Sequence, residues 1–178
     1  DALPIGLAPI WNPGTWGDSL RKAEKLRNRL KRGARAGITV RLAPEAEVEP
    51  GTPLRAALTT IVAGWTEAHA LPPMGLMVTL ELFQNAALRR YFVAECAGVV
   101  VGFAVCVPIY GRNGWLVEDM MLAADAPGGA GELLVDAAMR HLANEGAEVV
   151  SLGMVALAGL TRPVEPGGER HPFLMWVL

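Results

Sequence analysis

Stretches of helical period alternate with short apolar runs along the chain, and this alternation predicts the elements of the fold. Apolar residues recur at steps of three and four from Leu20 to Ala34, which places them on one side of a helix. Similar spacing follows Thr52, which is suited to cap a helix that has Pro53 at its first position. The predicted helices cover residues 18–35, 53 to before 71, 80–89 and 132–144.

The longest apolar run, Tyr91 to Tyr110, is close to the length that spans a membrane. Glu95 and the Ala97-Gly98 pair interrupt it, so two strands joined by a tight turn fit it better than one spanning helix. Other apolar runs predict strands at 3–11, 38–42, 115–122 and 148–154.

The order of these elements predicts the fold class. Two helices, antiparallel strands, a glycine-rich turn, a helix and a last strand indicate an α/β (α+β) domain, with a mixed, mostly antiparallel sheet and helices on both faces. Residues 115–154 form a βαβ-like crossover within it. With 178 residues, 52% hydrophobic and 19% charged, the chain is expected to form a single domain over 1–178 and not to be disordered.

The two cysteines, Cys96 and Cys106, fall on opposite arms of the predicted hairpin. The Ala97-Gly98 turn places Cys96 beside Val99, too far from Cys106 for a disulfide. Buried, reduced cysteines are typical of a cytoplasmic protein. Neither cysteine has the spacing of a metal ligand, so no metal site is predicted.

Charge is distributed unevenly, although the formal net charge is only −2. Residues 18–36 contain eight of the 16 basic residues and only two acidic ones. Such a helix suits a polyanion, either tRNA phosphates or anionic lipid headgroups, and the alternative is an ordinary solvated helix face. The candidate residues are Lys25, Arg27, Asn28, Lys31, Arg32 and Arg35.

Five short blocks follow one another in an order and spacing that are more specific than any single motif. They are Pro108–Trp115, Glu118-Asp119, Asp125–Pro127 with Gly129, Glu132–Leu134 and Ser151–Met154. With the basic helix, they make the chain from about residue 5 to 160 resemble the C-terminal synthase domain of phosphatidylglycerol lysyltransferases.

The resemblance implies a fold like the GCN5-related N-acetyltransferases, and this chain looks like the second unit of a tandem pair. It implies an aminoacyltransferase that moves an amino acid from aminoacyl-tRNA to a lipid hydroxyl such as that of phosphatidylglycerol. No cofactor is implied besides the donor, and no DNA partner is expected. The implied location is cytoplasmic, with the inner face of the plasma membrane as the surface where such a protein meets its lipid.

Transfer from a tRNA ester needs a carboxylate to accept the proton of the attacking hydroxyl. Glu118 and Asp119 are adjacent on a predicted strand, so they are expected to point to opposite faces. The family position favours Asp119 as the base or orienting group, with Glu118 beside it. The alternative is a solvated pair at a strand end, or an ion pair with Arg112.

The glycine-rich turn from Gly128 to Gly131 opens a helix, and exposed N–H groups there can hold a phosphate. In acetyltransferase folds coenzyme A usually sits at this turn, whereas the alternative is a plain strand-to-helix connection. The exit of the hairpin is a second candidate, for the donor's terminal adenosine or the lipid phosphate. The candidate substrate-binding residues are Tyr110, Arg112, Asn113, Gly129, Gly131 and Gly153.

Two other functions stay open. One is an acyl-coenzyme A dependent N-acyltransferase. The other is a catalytically inactive module that binds tRNA or an anionic membrane. Leu122 stands where the family usually has an arginine and Ala158 where it has a serine, and the change at Leu122 favours the inactive module.

Overall fold

The computed structural model describes residues 6–68, 81–153 and 155–156. Its helices are α1 Trp16–Lys22, α2 Glu24–Arg35, α3 Pro53–Ala68 and α4 Ala130–Asn144. Its strands are β1 Gly6–Leu7, β2 Ile10–Trp11, β3 Ile38–Ala43, β4 Arg90–Cys96, β5 Val99–Ile109, β6 Gly114–Leu122, β7 Val149–Ser151 and β8 Val155–Ala156.

Six of the strands form one sheet in the order β2-β7-β6-β5-β4-β3, and β1 pairs with β8 in a separate small sheet. All neighbours are antiparallel except β6 and β7, which are parallel and connected through α4. The predicted hairpin and the predicted crossover are therefore both confirmed. The predicted fold class, a mixed and mostly antiparallel sheet with helices on both faces, is confirmed with them.

Helices cover both faces of this sheet, and each face has its own hydrophobic cluster. On one face, here called the α4 face, α4 packs with α1, α2 and residues such as Phe92 and Val117. On the other, the α3 face, α3 packs with residues such as Tyr91, Phe103 and Met121. Trp16 ties α1 to α4, because its indole N–H donates to Asp136 Oδ1 at 2.8 Å.

The helix predicted over 18–35 is two helices, which separate at Ala23. A guanidinium nitrogen of Arg27 donates to Leu20 O at 2.7 Å and also to Arg21 O. These carbonyls lie in the last turn of α1, and Leu20 O also accepts the backbone N–H of Ala23 at 3.2 Å. The break leaves the apolar stripe continuous, so the hydrophobic period did not reveal it.

Two other boundaries differ from the prediction. Residues 81–89 contain only a 3₁₀ turn at Ala86–Leu88 in place of the predicted helix, and Asn85 before it has a left-handed backbone (φ 52°). The opening strand is two short strands, β1 and β2. Residues 3–5, 79–80, Met154 and the tail from 158 onward, with Ala158, lie outside the described residues.

Several local predictions are confirmed. Thr52 Oγ1 accepts the backbone N–H of Arg55 at 3.3 Å and so caps α3. Cys96 pairs with Val99 and Cys106 lies opposite Arg90, so the two thiols are apart and both are free. No helix among the described residues is long and apolar enough to cross a membrane.

Candidate active site

An opening in the sheet separates β6 from β7. The two strands pair only from Gly114 to Leu116, opposite Val149 to Ser151. Beyond Leu116, β6 continues to Leu122, but among the described residues no further strand pairs with it on that side. Backbone groups along such a stretch keep their capacity to bind another molecule.

A β-bulge in β6 lies beside this opening. Val105 pairs with Asp119 and Cys106 pairs with Val117, so Glu118 has no partner on β5. One extra residue reverses the alternation of the strand. Accordingly, Val117 packs on the α4 face, whereas Met121 packs on the α3 face.

The bulge corrects the prediction that Glu118 and Asp119 point to opposite faces. Asp119 lies opposite Val105, whose side chain belongs to the α3 face. Glu118 pairs with Arg89, and both residues act electrostatically on Asp119. The two carboxylates therefore lie together near the α3 face, because the extra residue turns Glu118 toward its neighbour.

Asp119 continues a row of side chains that crosses three strands, from Tyr91 on β4 through Val105 on β5. Its side chain is half-buried. Partial burial raises the pKa of the Asp119 carboxyl, Glu118 raises it further, and Arg89 lowers it. A carboxylate with a raised pKa accepts a proton more readily, which suits a general base.

Arg89, which no motif in the sequence singles out, completes this group. Its guanidinium pairs with Glu118, and its Nε donates to Gln84 O at 2.7 Å. Arg89 belongs to an Arg-Arg pair at the start of β4, and local sequence does not distinguish such a pair from ordinary surface charge. The predicted alternative, an ion pair between Arg112 and Glu118, is wrong because Glu118 is held by Arg89.

Three predicted substrate-binding residues, Tyr110, Arg112 and Asn113, lie in the exposed turn between β5 and β6. Five residues of strand, roughly 17 Å, separate Gly114 from Asp119. Asn113 connects two turns, since its Nδ2 donates to Gly146 O at 3.1 Å. The structure therefore does not bring these residues together with Asp119.

The predicted glycines lie closer to the opening. Gly129, with φ 105°, precedes α4, and Gly131 lies in its first turn. A Cβ built at Gly131 would lie 3.7 Å from Leu122 Cδ1, at the end of β6. Gly153, with φ 81°, follows β7, and a Cβ there would lie 3.8 Å from Leu116 Cδ1. Gly131 and Gly153 thus lie near the two ends of the stretch of β6 that separates from β7, whereas Gly129 packs against α2.

The basic helix α2 packs against α4, and so it lies on the face of the sheet opposite to the Asp119 side chain. Two of its cations are engaged within the fold: Arg27 binds carbonyls of α1, and Arg29 pairs with the buried Glu132 at 2.8 Å. Its exposed candidates are Lys25, Asn28, Lys31, Arg32 and Arg35. Arg32 is nearest to the turn, since a Cβ built at Gly128 would lie 3.4 Å from its Cζ.

A separate open depression of about 530 Å³ lies at the other edge of the sheet, between β3 and the start of α3. Arg41 crosses it and pairs with Glu47 and Glu95. None of the predicted site residues lines this depression, so it does not belong to the candidate active site.

The comparisons with known proteins agree with this architecture. The model of a family described as "Phosphatidylglycerol lysyltransferase, C-terminal" matches residues 19–178. No curated protein sequence matches the chain.

Solved structures show the same fold. The C-terminal domain of a putative lysylphosphatidylglycerol synthetase from Agrobacterium fabrum is 24% identical, with a TM-score of 0.73 over 89% of this chain and 49% of that one. L-PGS from Bacillus licheniformis is 20% identical, with a TM-score of 0.68 over 93% and 50%. A conserved protein of unknown function from Bacteroides thetaiotaomicron is 14% identical, with a TM-score of 0.62 over 83% and 50%. The chain spans about half the length of each of these structures.

Proposed function

Because the chain belongs to the phosphatidylglycerol lysyltransferase C-terminal family, we propose that it is an aminoacyltransferase that moves an amino acid from aminoacyl-tRNA to a lipid hydroxyl such as that of phosphatidylglycerol. The observation that carries this proposal is the position of Asp119. Its carboxyl is half-buried, has a raised pKa, and lies on β6 where the strand separates from β7.

In the proposed reaction, Asp119 accepts the proton of the lipid hydroxyl as its oxygen attacks the ester carbon of the donor. The tetrahedral oxyanion that forms needs hydrogen-bond donors, and backbone N–H groups of β6 beyond Leu116, where no described strand pairs on the β7 side, suit that role. When the intermediate collapses, the bond from the acyl carbon to the tRNA oxygen breaks. That oxygen takes up the proton, and the acyl group stays on the lipid.

The exposed cations of α2 suit the polyanionic carrier of the donor. Arg32 lies beside Gly128, at the turn that leads from β6 into α4. Beyond Leu116, no described strand covers the edge of β6 that lies between the α4 face and the α3 face. We infer that tRNA binds on the α4 face and that its ester end enters the opening from that side, to meet Asp119.

Neither alternative function gains support from a specific observation. Coenzyme A is the donor that a glycine-rich turn would suit, but the backbone of Gly129 is packed against α2 and the glycine is required by that contact. A binding module without catalysis would need the basic face of α2 but would leave the half-buried carboxyl of Asp119 without a role.

The direct test incubates the protein with a pool of charged tRNAs and phosphatidylglycerol vesicles, followed by mass spectrometry of the lipids. We expect an aminoacylated lipid from the wild type and a loss of roughly 100-fold or more in Asp119→Asn, because the general base is removed. Asp125→Asn, which changes an exposed acid just after β6, serves as the matched control and should keep its activity.

Lack of product with every charged tRNA would refute the transferase. Product formed equally well by Asp119→Asn would refute the role of that carboxyl. Steep, salt-dependent tRNA binding without any product would instead identify a binding module.

A further inference from the structure

Arg89 reaches across a whole strand to its partner. It directly precedes β4, whereas Glu118 is on β6, and β5 lies between them. Neighbouring strands are spaced about 4.8 Å apart, so the pair spans roughly 10 Å of sheet. The side chain of Arg89 is only 10% exposed and that of Glu118 is 39% exposed. Because most of the Arg89 side chain is covered, this ion pair differs from the mobile ion pairs of a protein surface.

The fold holds Arg89 in this position from two sides. Its Nε donates to Gln84 O, and its backbone N–H donates to Ala86 O at 3.0 Å. The same segment is attached to β4, because the hydroxyl of the buried Tyr91 donates to Leu82 O at 2.8 Å. The guanidinium of Arg89 is thus held in place by contacts other than its pair with Glu118.

We propose that Arg89 is a positioning residue for the transfer reaction. By pairing with Glu118 at the bulge, it offsets the charge of one carboxylate and leaves Asp119 as the carboxylate that exchanges the proton. This inference rests on the proposed function, since it assigns a purpose to the group around the proposed base.

The charges around Asp119 explain why such an offset is needed. From its own strand Asp119 faces Glu118, and from the segment before β4 it faces Arg89. Tyr91 lies two strands from Asp119 in the same row. The charges of Arg55 on α3 and of Glu45, in the turn before α3, act on its phenol. If Arg89 were absent, two adjacent carboxylates would share one partly buried site. One of them would then hold a proton toward neutral pH and could not act as a base.

The experiment measures the titration of the Asp119 carboxyl by ¹³C NMR, in protein labelled at the aspartate side chain and without substrate. Asp119→Asn assigns the resonance. We expect Arg89→Met to move the Asp119 midpoint to higher pH and Glu118→Gln to move it to lower pH. The double variant should titrate closer to the wild type than Arg89→Met does. Arg89→Lys, which keeps the charge, should leave the Asp119 midpoint close to its wild-type value.

Arg90→Met is the matched control. Arg90 is the next residue, but it pairs with Glu145 and lies over the ring of Trp115, away from Asp119. Its loss should leave the Asp119 midpoint unchanged. Thermal unfolding of every variant shows whether the fold persists. If Arg89→Met does not fold, Glu118→Gln decides alone, since glutamine keeps the shape of Glu118 and can still accept a hydrogen bond from Arg89.

An Asp119 midpoint that is the same in Glu118→Gln and the wild type would overturn the inference. An Asp119 midpoint that is unshifted in Arg89→Met would also overturn the inference. So would a double variant whose midpoint is as high as that of Arg89→Met. The titration needs no activity, so its failure removes the role of Arg89 and leaves the transferase intact. Absence of lipid product in the vesicle assay removes the transferase and leaves the measured coupling in place.

Discussion

Gly33 of α2 and Gly129 at the start of α4 meet backbone to backbone. A Cβ built at Gly129 would lie 2.7 Å from Gly33 N and 2.7 Å from Arg29 O. A Cβ at Gly33 would lie 3.1 Å from the carbonyl group of Gly129. The glycine turn therefore brings the basic helix against α4, and this contact fixes where the cations of α2 lie relative to the opening in the sheet.

This contact predicts that Gly129→Ala destabilises the protein by at least about 2 kcal/mol, because an alanine there would collide with backbone and also strain a φ of 105°. Chemical denaturation measures the free energy of unfolding. Gly64→Ala is the control: nothing lies within 4 Å of a Cβ at this position inside α3, so it should be neutral or stabilise by up to about 1 kcal/mol. Equal stabilities of the two variants would contradict the assigned role of Gly129.

The cations of the basic helix divide into two roles. Arg27→Ala should lower the free energy of unfolding by about 1 kcal/mol, because it removes the hydrogen bonds from its guanidinium to Leu20 O and Arg21 O. Lys31→Ala with Arg35→Ala removes two exposed cations and should leave stability unchanged. If both cations contact phosphates, that double variant should reduce the slope of log K against log salt for tRNA binding by about 1.5. Arg41→Ala, at the far edge of the sheet on the α3 face, serves as the binding control. An unchanged slope of log K against log salt in the double variant would show that Lys31 and Arg35 do not contact tRNA.

Asp119 is expected to reduce the stability of the fold at neutral pH. Its pKa is raised in the native state, mainly by burial. Its contribution to stability is therefore present below the unfolded pKa, near 3.9, and is lost as the pH rises through the folded pKa. Asp119→Asn has no carboxylate to bury and should have a higher melting temperature than the wild type at pH 7.

The difference in melting temperature between Asp119→Asn and the wild type should shrink as the pH is lowered toward 4, because the wild-type carboxyl becomes neutral as well. Melting curves at several pH values measure this, with Asp125→Asn as a control that should track the wild type. A melting temperature of Asp119→Asn that is lower than that of the wild type at pH 7 would contradict the raised pKa.

The two cysteines should react very differently with thiol reagents. Burial raises the pKa of the Cys106 thiol to about 12, whereas Cys96 is half-buried near the end of β4. At pH 8 we expect Ellman's reagent to modify Cys96 in the native protein and to reach Cys106 only after denaturation. Cys96→Ser should then show no fast-reacting thiol. A second thiol that reacts quickly in the native state would show that β5 opens locally.

The same raised pKa predicts a fall in stability in alkaline solution. The unfolded Cys106 thiol ionises near pH 8.5–9, whereas the native thiol stays protonated. Its contribution is full below that range and is lost as the pH rises toward 12. Cys106→Val should remove this part of the pH dependence.

Much of the fold could be predicted because it is encoded by local periods. The turn at Ala97-Gly98 fixed the pairing of Cys96 with Val99, and Thr52 with Pro53 marked the start of α3. The break at Ala23 could not be predicted, because the apolar stripe continues through it. The non-helical backbone of Ala23 and the guanidinium of Arg27, folded back on α1, show where α1 ends.

The candidate site was only partly predictable. The resemblance singled out Asp119 and Glu118, and both lie near the opening between β6 and β7. Their orientation was predicted wrongly, because strict alternation of side chains holds only where every residue of β6 has a partner on β5. Arg89 was missed because its partner is 29 residues further along the chain. Asn113 was placed in the site, but it connects two turns.

The sequence by itself determined the family, the class of fold, the main helices and the hairpin, because each depends on residues near one another along the chain. Tertiary structure decided which face each functional group occupies. One unpaired residue at 118 moves a carboxylate from one side of the sheet to the other, and the register that creates it comes from pairing between β5 and β6. Pairing between distant segments is set by packing of the whole sheet, so no local pattern could show it.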